Sequence, residues 1–384
     1  MINTKVKGNI MKKRVVILFG GKSVEHEVSI ISATSIYRAL DKTKFDVTLI
    51  GIDKRGKWLL PDESKQLAGS SNPKLVSLNK TGEQVSLLPY DSENKNLISL
   101  KLNSTLNNQV DIIIPVLHGP NGEDGTIQGL LELSNVPFVG SGVLGSALCM
   151  DKDMAKRIMR DAGIPIVPYL CYKRNEFKIN SNKMIDEAEK KFGYPYFVKP
   201  ANLGSSVGVE KIKNRDEALI KLKKSFQFDT KILIEKAIDA REIECAILGN
   251  NDPAASIVGE IIPQGEFYNY EAKYIDENGA ELLIPAPNIT SDQLKKFQNY
   301  ATLAFKSLEC FGLARVDFFL DKISGEIFLN EVNTFPGFTP ISMYPKLWEA
   351  SGVTNSELLN KLIELAIEKF NEKKENQIDY FDNE

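Results

Sequence analysis

The order of hydrophobic and polar positions predicts an α/β domain at the start of the chain. The apolar run RVVILF (14–19) predicts a buried strand and ends at Gly20-Gly21. A segment with helical periodicity follows from Val28 to Leu40, and the apolar runs VTLIGID (47–53) and VDIIIPVLHG (110–119) predict two more strands. A strand, a glycine turn, a helix and a strand in this order are typical of a parallel sheet with helices.

The pattern changes after residue 145. Ser146–Ala162 has helical periodicity and ends before Gly163 and Pro165. Five strand-like runs then follow, interrupted by one short predicted helix, Arg215–Lys224. The runs are YPYFVKP (194–200), SVGVEKI (206–212), KILIEKAI (231–238), EIECAILG (242–249) and ASIVGEII (255–262). Many strands with few helices between them favour an antiparallel α+β module that is distinct from the first domain.

The last part of the chain predicts a helix, a hairpin and a closing helix. The helix covers Ser291–Leu308, and the hairpin pairs LARVDFFLD with EIFLNEVN around the turn Lys322–Gly325. The closing helix covers Asn355–Phe370 and precedes a charged tail. We expect this tail and the first ten residues to be mobile, as chain ends often are.

Composition narrows the possible functions. The 384 residues include 48 Lys and Arg and 51 Asp and Glu, which gives a net charge of −3. This charge disfavours a broadly basic nucleic-acid binder. No apolar stretch reaches the roughly 18 residues of a membrane helix, and the first apolar run lacks a secretion cleavage site. Four widely spaced cysteines favour a reduced, cytoplasmic protein. Two histidines exclude a His-rich metal site, so any metal would need oxygen ligands.

The predicted hairpin carries the most informative chemistry. Alternate residues of a strand share a face, so Arg315 and Asp317 should point the same way, as should Glu331 and Asn333. Pairing around Ser324 would set Asp317 opposite Glu331 and Arg315 opposite Asn333. Two carboxylates and an amide suit Mg²⁺, and an adjacent Arg suits a developing phosphoryl charge. A polar sheet face with ordinary ion pairs is the alternative interpretation.

A second motif, VKPANLGSSVG (198–208), has the composition of a phosphate-binding loop. Lys199 ends a predicted strand, and the following Gly and Ser residues can offer backbone N–H groups and hydroxyls to phosphate oxygens. The Walker sequence is absent, and an unliganded glycine–serine turn explains the motif equally well. In LIEKAIDARE (233–242), Glu235, Lys236 and Glu242 suggest contacts to adenine and ribose, although a solvated strand end is as natural.

Two loops at predicted strand ends indicate a ligand crevice in the first domain. GGKSVEHEVS (20–29) lies where open α/β sheets bind ligands. Glu25 could fix an ammonium group there and Ser23 could cap the helix, while a plain helix start is the simpler alternative. HGPNGEDG (118–125) follows the next strand. The two loops together make a crevice more plausible than either does alone.

Seven motifs together resemble one known family. GGKSVEHEVS, HGPNGEDG, MDKDMAK, VKPANLGSSVG, FYNYEAKY, RVDFF and LNEVNTFPGFTPIS occur in the order found in the D-alanine–D-alanine ligases of the ATP-grasp superfamily. The resemblance spans residues 14 to 368. It implies an α/β N-terminal domain with a parallel sheet, followed by ATP-grasp α+β domains. The implied boundaries are 11–145 with an insertion at 62–108, a lid subdomain at 146–238, a C-terminal domain at 239–370 and a mobile tail at 371–384.

The resemblance implies ATP-dependent ligation of two D-alanine molecules for peptidoglycan precursor synthesis. ATP would phosphorylate the first carboxylate, and the amine of the second D-alanine would attack the acyl phosphate. The implied cofactor is a pair of Mg²⁺ ions, with Mn²⁺ as a substitute. The implied partners are ATP, D-alanine and a second copy of the chain in a homodimer, with neither nucleic acid nor membrane. The implied location is the cytoplasm.

The resemblance also assigns roles residue by residue. The implied ATP-binding residues are Lys152, Lys199, Ser206, Glu235, Lys236, Ile238 and Glu242. The implied metal ligands are Asp317, Glu331 and Asn333, which agrees with the strand pattern. Glu25, Ser205, Tyr274, Arg315 and the backbone near Gly337 match the catalytic network. The implied substrate contacts are Glu25 and His118 for the first D-alanine, and Ser342 and Met343 for the second.

The family also suggests a cover over the phosphates at residues 263–287, where an ordinary exposed loop is the alternative. The intact FYNYEAKY favours D-alanine as acceptor, while Met343 stands where leucine is frequent and leaves acceptor selectivity open.

Three other functions are alternatives to this one. Another ATP-grasp carboxylate–amine ligase would share the Lys, Glu and metal residues but need not share GGKSVEHEVS or EAKY. A non-catalytic nucleotide-binding protein would tolerate the loss of Arg315 or a metal ligand, yet each of these positions is filled. A dehydrogenase lacks support without GxGxxG.

Overall fold

Among the described residues, the strands form three sheets. The computed structural model describes residues 12–61, 82–89, 97–100, 109–263 and 280–377. The first sheet comprises β1 (Lys13–Gly20), β2 (Phe45–Ile52), β3 (Trp58–Pro61), β4 (Gly82–Leu87), β5 (Leu97–Ser99) and β6 (Ile112–Val116). Their spatial order is β5-β4-β3-β2-β1-β6. The predicted parallel pairing is confirmed for β1 with β2 and β6, whereas β3, β4 and β5 add antiparallel strands at one edge.

Helices cover this first sheet. They are α1 (His26–Ala39), which follows β1, and α2 (Thr126–Leu133), which follows β6. The strands β1 and β6 are buried along nearly their whole length, because helices or other sheets pack on both faces. The predicted insertion at 62–108 contributes β4 and β5, so part of it extends the sheet.

The second sheet is a smaller antiparallel unit with the order β7-β10-β8-β9. Its strands are β7 (Tyr169–Lys173), β8 (Tyr196–Pro200), β9 (Glu210–Ile212) and β10 (Lys231–Lys236). The helices α3 (Val143–Met150) and α4 (Lys152–Asp161) precede it, and α5 (Arg174–Phe192) and α6 (Arg215–Ser225) pack on it. Its apolar core includes Tyr196, Val198 and Leu222.

The third sheet has the order β13-β12-β11-β14-β15, and every pairing is antiparallel. Its strands are β11 (Ala240–Gly249), β12 (Ala254–Pro263), β13 (Ala280–Leu283), β14 (Gly312–Asp321) and β15 (Ile327–Asn333). The helix α7 (Ser291–Ser307) lies between β13 and β14, and the helices α8 (Met343–Ala350) and α9 (Asn355–Lys374) follow β15. The expected antiparallel α+β part is thereby confirmed.

The largest apolar core joins the two ends of the chain. It combines Ile17 of β1 and Ile114 of β6 with Leu347 of α8 and Leu362 of α9. The C-terminal helices therefore stabilise the first sheet as well as the third. No helix among the described residues is both long and apolar enough to cross a bilayer.

Four local predictions differ from the structure. The helix expected over Ser146–Ala162 is two helices, because the Asp151 side chain accepts hydrogen bonds from the N–H groups of Asp153 and Met154 and so begins α4. The strand expected at 206–212 begins only at Glu210. The closing helix continues to Lys374, so the first residues of the predicted tail are helical. Ser23 does not cap α1, because the capping position is Glu25.

The elements missed by the sequence analysis are β3, α2, β7, α5, β13 and α8, and the strands β4 and β5 of the insertion were not located. Among them α5 is the longest and carries few buried apolar residues, namely Met184, Ile185 and Ala188. Residues 1–10 and 378–384, which belong to the predicted mobile ends, lie outside the described residues. The domain boundaries stay predictions, although the three sheets each fall within one of the three predicted ranges.

Candidate active site

Two adjoining cavities lie between the three sheets. The larger has a volume of about 890 Å³ and separates the second sheet from the third. The smaller has a volume of about 80 Å³ and lies between the loop after β1, the loop after β6 and the segment before α8. Gly204, Ser205, Glu244, Ile261 and Glu331 line both cavities and mark their junction. A nucleotide-sized cavity therefore adjoins one the size of a small amino acid.

Two lysines expected to bind ATP lie at the larger cavity. Lys152 begins α4, and its Nζ donates to the carbonyl oxygen of Leu203 at 2.7 Å and lies 3.4 Å from a carboxylate oxygen of Glu331. Lys199 in β8 lies 2.7 Å from Glu235 and 3.1 Å from the amide oxygen of Asn330. Both ammonium groups are held in position by carboxylates.

Glu235 is the centre of a buried charge triad. Its two oxygens lie 3.1 Å from Nζ of Lys156 and 2.7 Å from Nζ of Lys199. Burial opposes ionisation of Glu235, yet the two ammonium groups outweigh it and lower the pKa of Glu235. Burial lowers the pKa of Lys156 to about 8, against the opposing effect of Glu235. The triad has a net charge of +1 when all three groups are ionised.

Lys156 was not among the predicted site residues. It stands one helical turn after Lys152 in MDKDMAK, and residues four apart on a helix share a face. That spacing is the signal that could have found it. Its side chain is fully buried, which a lysine tolerates only beside a counter-charge.

The remaining expected nucleotide contacts line the same cavity. Lys236 ends β10, Ile238 lies in the connection to β11, and Glu242 lies in β11. Val167 and Phe197 add apolar wall. Apolar walls with a carboxylate at one end suit a purine and a ribose diol.

The glycine–serine loop connects the larger cavity to the first sheet. Ser205 and Ser206 both have positive φ angles, 54° and 57°, which few residues other than glycine adopt. The hydroxyl of Ser205 donates a short hydrogen bond to Glu25 Oε1. The predicted loop therefore exists, and its strained backbone brings together two residues that are 180 positions apart.

Glu25 lies at the edge of the smaller cavity and is buried. A Cβ at Gly119 would lie 2.7 Å from Oε2 of Glu25. Gly119 also has a φ of +74°, so only glycine fits at this position without a shift. Ser23, the expected cap, instead accepts a hydrogen bond from the N–H of Glu25 at 3.1 Å.

His118 is buried beside Glu25 in the smaller cavity. Its Nδ1 lies 3.9 Å from Glu123, and its Nε2 lies 3.3 Å from the hydroxyl of Ser32. Burial alone would lower the pKa of His118, but the carboxylates of Glu123 and Glu25 outweigh it and raise the pKa. The negative field at this end of the cavity would favour an ammonium group.

The hairpin of β14 and β15 has the predicted register. Arg315 pairs with Asn333 and Asp317 with Glu331, while Val316 and Phe318 are buried on the opposite face. The guanidinium of Arg315 donates to both oxygens of Asp317 at 2.7 Å, and the Asn333 amide donates to Asp317 Oδ2 at 2.9 Å. A bulge after Asp317 shifts the rest of the hairpin by one residue. This bulge leaves Asn330 unopposed, and its amide reaches Lys199.

Glu244 also belongs to this cluster, and it was not predicted. It lies in β11 directly opposite Asp317, and its Oε2 is 2.9 Å from Nε of Arg315. The signal was its spacing from Glu242, since residues two apart on a strand share a face.

The segment before α8 forms the far wall of the smaller cavity. A Cβ at Gly337 would lie 2.8 Å from the hydroxyl of Ser342, so glycine permits the close turn. Ser342 Oγ accepts a hydrogen bond from the N–H of Thr339 at 2.9 Å. Met343 packs its sulfur over Gly259 of β12. Gly337, Ser342 and Met343 line the cavity where the resemblance puts the second substrate.

The donor set fits a magnesium ion. Asp317, Glu331 and Asn333 supply oxygen atoms on one sheet face at the junction of the cavities. Within the described ranges, no group of three His, Cys, Asp or Glu side chains forms a metal cage. Two carboxylates and an amide suit Mg²⁺, which commonly takes its other ligands from phosphate and water.

All of the predicted site residues except Tyr274 lie at one of the two cavities. Tyr274, like most of the predicted cover at 263–287, lies outside the described residues. The part of the cover that is described contributes β13, which pairs with β12 beside the larger cavity.

Comparisons with known proteins agree over almost the whole chain. Models for the N-terminus and C-terminus of D-ala D-ala ligases match residues 14–141 and 158–364. The D-alanine–D-alanine ligase of Oceanobacillus iheyensis is 52% identical over 360 residues, covering 94% of this chain and 96% of that protein. The D-alanine–D-alanine ligase of Shouchella clausii is 51% identical over 372 residues, covering 97% and 99%.

Solved structures give the same result. The D-alanine-D-alanine ligase from Coxiella burnetii superposes with a TM-score of 0.79 at 37% identity, covering 94% of this chain and 96% of that one. The VanG D-Ala:D-Ser ligase from Enterococcus faecalis has a TM-score of 0.79 at 36% identity, covering 93% and 100%. Both neighbours are similar at a level that extends beyond the fold alone.

The buried triad generates a prediction about pH. In the unfolded chain Lys156 has its ordinary pKa of 10.5, whereas in the folded protein its pKa is about 8. Unfolding therefore takes up a proton between these values, and the free energy of unfolding should rise with pH there. We expect the difference in unfolding free energy between wild type and Lys156→Met to increase from pH 8 to pH 10.5 in denaturant titrations.

Lys183→Met is the matched control, because the Lys183 side chain is 70% exposed. The difference in unfolding free energy between Lys183→Met and wild type should not change from pH 8 to pH 10.5. A flat difference for Lys156→Met as well would mean that burial does not penalise the Lys156 ammonium group.

Proposed function

Because this chain belongs to the D-alanine–D-alanine ligase family, we propose that it joins two D-alanine molecules at the expense of ATP. The product is D-alanyl-D-alanine, a precursor for peptidoglycan. The observation that carries this proposal is the junction of the two cavities: Glu331 lines both the nucleotide-sized space and the amino-acid-sized one, and Arg315 lines the smaller space beside it.

ATP binds in the larger cavity. Its phosphates lie toward Lys152, Lys199 and the backbone of the loop that carries Ser206, while Glu235, Lys236 and Ile238 surround the adenine and Glu242 holds the ribose. These cations already stand beside carboxylates, so little reorganisation is required when the triphosphate arrives.

Asp317, Glu331 and Asn333 hold two Mg²⁺ ions, for which Mn²⁺ can substitute. Metal ions held there would supply positive charge to neutralise the phosphates. The donors are supported by their oxygen chemistry and by the strand register that gathers them on one face.

The reaction has two bond exchanges. A carboxylate oxygen of the first D-alanine forms a bond to the γ-phosphorus of ATP while the bond from that phosphorus to ADP breaks. The amine nitrogen of the second D-alanine, after losing a proton, then bonds to the carboxyl carbon, and the carbon–oxygen bond to phosphate breaks. Arg315 and the backbone near Gly337 stabilise the negative charge that develops in both exchanges.

The smaller cavity holds the amino acids. Glu25 and His118 position the first D-alanine, with the ammonium group drawn to the carboxylates around Glu25, and Ser342 and Met343 face the second. Ser205 couples Glu25 to the phosphate-binding loop, so that substrate and ATP are held in one network. The family resemblance assigns Tyr274 to this network, and it assigns to the segment 263–287 the protection of the acyl phosphate from water.

We place the reaction in the cytoplasm, which the four free thiols support. The homodimer stays a prediction of the family.

D-Serine is the second candidate acceptor, because one similar structure is a D-Ala:D-Ser ligase and Met343 departs from the frequent leucine. Phosphate release should be measured with ATP, Mg²⁺ and a panel of amino acids that includes D-alanine, D-serine, D-lactate and L-alanine. We expect D-alanine alone to stimulate strongly and a dipeptide to form. Strong stimulation only by a D-alanine and D-serine mixture would favour the second candidate, and none with any D-amino acid would refute both.

Arg315→Ala should remove most turnover. Loss of one group that stabilises developing charge costs roughly 10²–10³ in kcat. ATP affinity, measured by calorimetry, should change far less, since the nucleotide contacts line the larger cavity and Arg315 lines the smaller one. Arg160→Ala, at an exposed position of α4, is the matched control. Near-normal ligation by Arg315→Ala would contradict the assigned role.

Glu331→Gln should raise the Mg²⁺ concentration needed for half-maximal activity by about 10- to 100-fold, the range typical of changes around a bound metal. The amide keeps the shape of the side chain but removes the charge that attracts the cation. Glu326→Gln, exposed in the hairpin turn, is the control. An unchanged Mg²⁺ titration for Glu331→Gln would exclude it as a ligand.

A further inference from the structure

Glu244 occupies the centre of the third sheet, at the junction of the two cavities. It lies in β11, with Asp317 of β14 opposite on one side and Gly259 of β12 opposite on the other. Only 5% of the residue is exposed. A buried carboxylate in the middle of a sheet needs a compensating charge, and that charge is Arg315.

The contact between the two side chains is diagonal. Arg315 stands opposite Ala246, two residues beyond Glu244, and its long side chain turns back along the strand. The Nε of Arg315 lies 2.9 Å from Glu244 Oε2 and 2.7 Å from Asp317 Oδ1. The Nη2 donates to Asp317 Oδ2. Glu244 therefore contacts the inner edge of the guanidinium, which is Nε, and Asp317 contacts both Nε and the outer nitrogen Nη2.

Asp317 is engaged by two partners at once. It accepts two hydrogen bonds from Arg315 and one from Asn333, and the proposed function requires the same oxygens to bind metal. A carboxylate has about four lone-pair positions. Once Asp317 serves as a metal ligand, its hold on Arg315 weakens, and the outer nitrogens of the guanidinium become available to a phosphoryl or tetrahedral oxyanion.

We propose that Glu244 is the positioning residue that keeps Arg315 beside the junction when Asp317 binds a metal ion. Its Oε2 lies beside Nε, so it can retain the guanidinium by that inner edge. Glu244 acts through Arg315 and touches neither reacting atom. This inference rests on the proposed function, since it concerns how Arg315 is held during ligation.

The test is Glu244→Gln in the full chain. Neutralising this carboxylate should lower kcat for D-alanine-dependent phosphate release by about 10- to 100-fold, because it removes one charged contact of the guanidinium. The KM for ATP and the affinity for Mn²⁺, measured by electron paramagnetic resonance with a non-hydrolysable ATP analogue, should stay within about twofold of wild type. A parallel fall in Mn²⁺ affinity would make Glu244 a direct ligand and overturn the proposal.

A double mutant decides whether Glu244 works through Arg315. In an Arg315→Ala background, Glu244→Gln should cause no further loss of kcat, because the group it positions is gone. An equal additional loss in that background would refute the proposal. Asp111→Asn is the matched control, because Asp111 also pairs with an arginine, Arg14, at the end of β1 remote from both cavities. It should leave kcat unchanged.

Glu244→Asp is the second variant, in case the amide does not fold. It keeps the charge but withdraws the carboxylate by one methylene, so we expect a smaller but measurable fall in kcat at an unchanged KM for ATP. A wild-type kcat for Glu244→Asp would contradict the positioning role. Wild-type protein without D-alanine-dependent phosphate release would instead refute the proposed function, and the two failures are thus distinguishable.

Discussion

The register of the β14–β15 hairpin is the constraint on which the site depends. It sets Asp317 opposite Glu331 and Arg315 opposite Asn333, so that one sheet face carries three oxygen donors and a guanidinium. A slip of one residue would send all four side chains into the apolar core, where Val316 and Phe318 now pack. The cost of burying those charges is far larger than any gain, so the fold itself enforces the register.

Strand parity explains why this part of the site could be predicted from the sequence. Period 2 and a short turn suffice to pair Arg315 with Asn333 before any fold is known. The bulge after Asp317, which gives Asn330 to Lys199, could not be predicted in the same way, because a bulge depends on packing on both faces of the hairpin.

Residues recruited by tertiary contacts were harder to find. Glu244 looks like a surface residue of a strand until β14 is placed beside it, and Lys156 looks like a solvated helix position until Glu235 is buried over it. The helix α5 was missed because its sequence is mostly polar, so its three buried residues give no clear periodicity. The break between α3 and α4 results from one capping side chain, Asp151, which outweighs continuous helical periodicity.

The cations of the site share one arrangement. Lys199 is held by Glu235, Lys152 by Glu331 and Arg315 by both Asp317 and Glu244. Each of these positive groups is thus oriented by a carboxylate before any phosphate binds. The cations are removed from water and oriented when the protein folds. The nucleotide therefore binds to aligned cations, and they need not lose water at that point. The proposed function gives these carboxylates different roles, since Asp317 and Glu331 are metal ligands in it and Glu235 and Glu244 are not. Those that can turn to a bound ion release their cations, whereas a carboxylate that cannot do so must keep its cation in place. Glu235 keeps Lys199 in place in this way, and by our proposal Glu244 keeps Arg315.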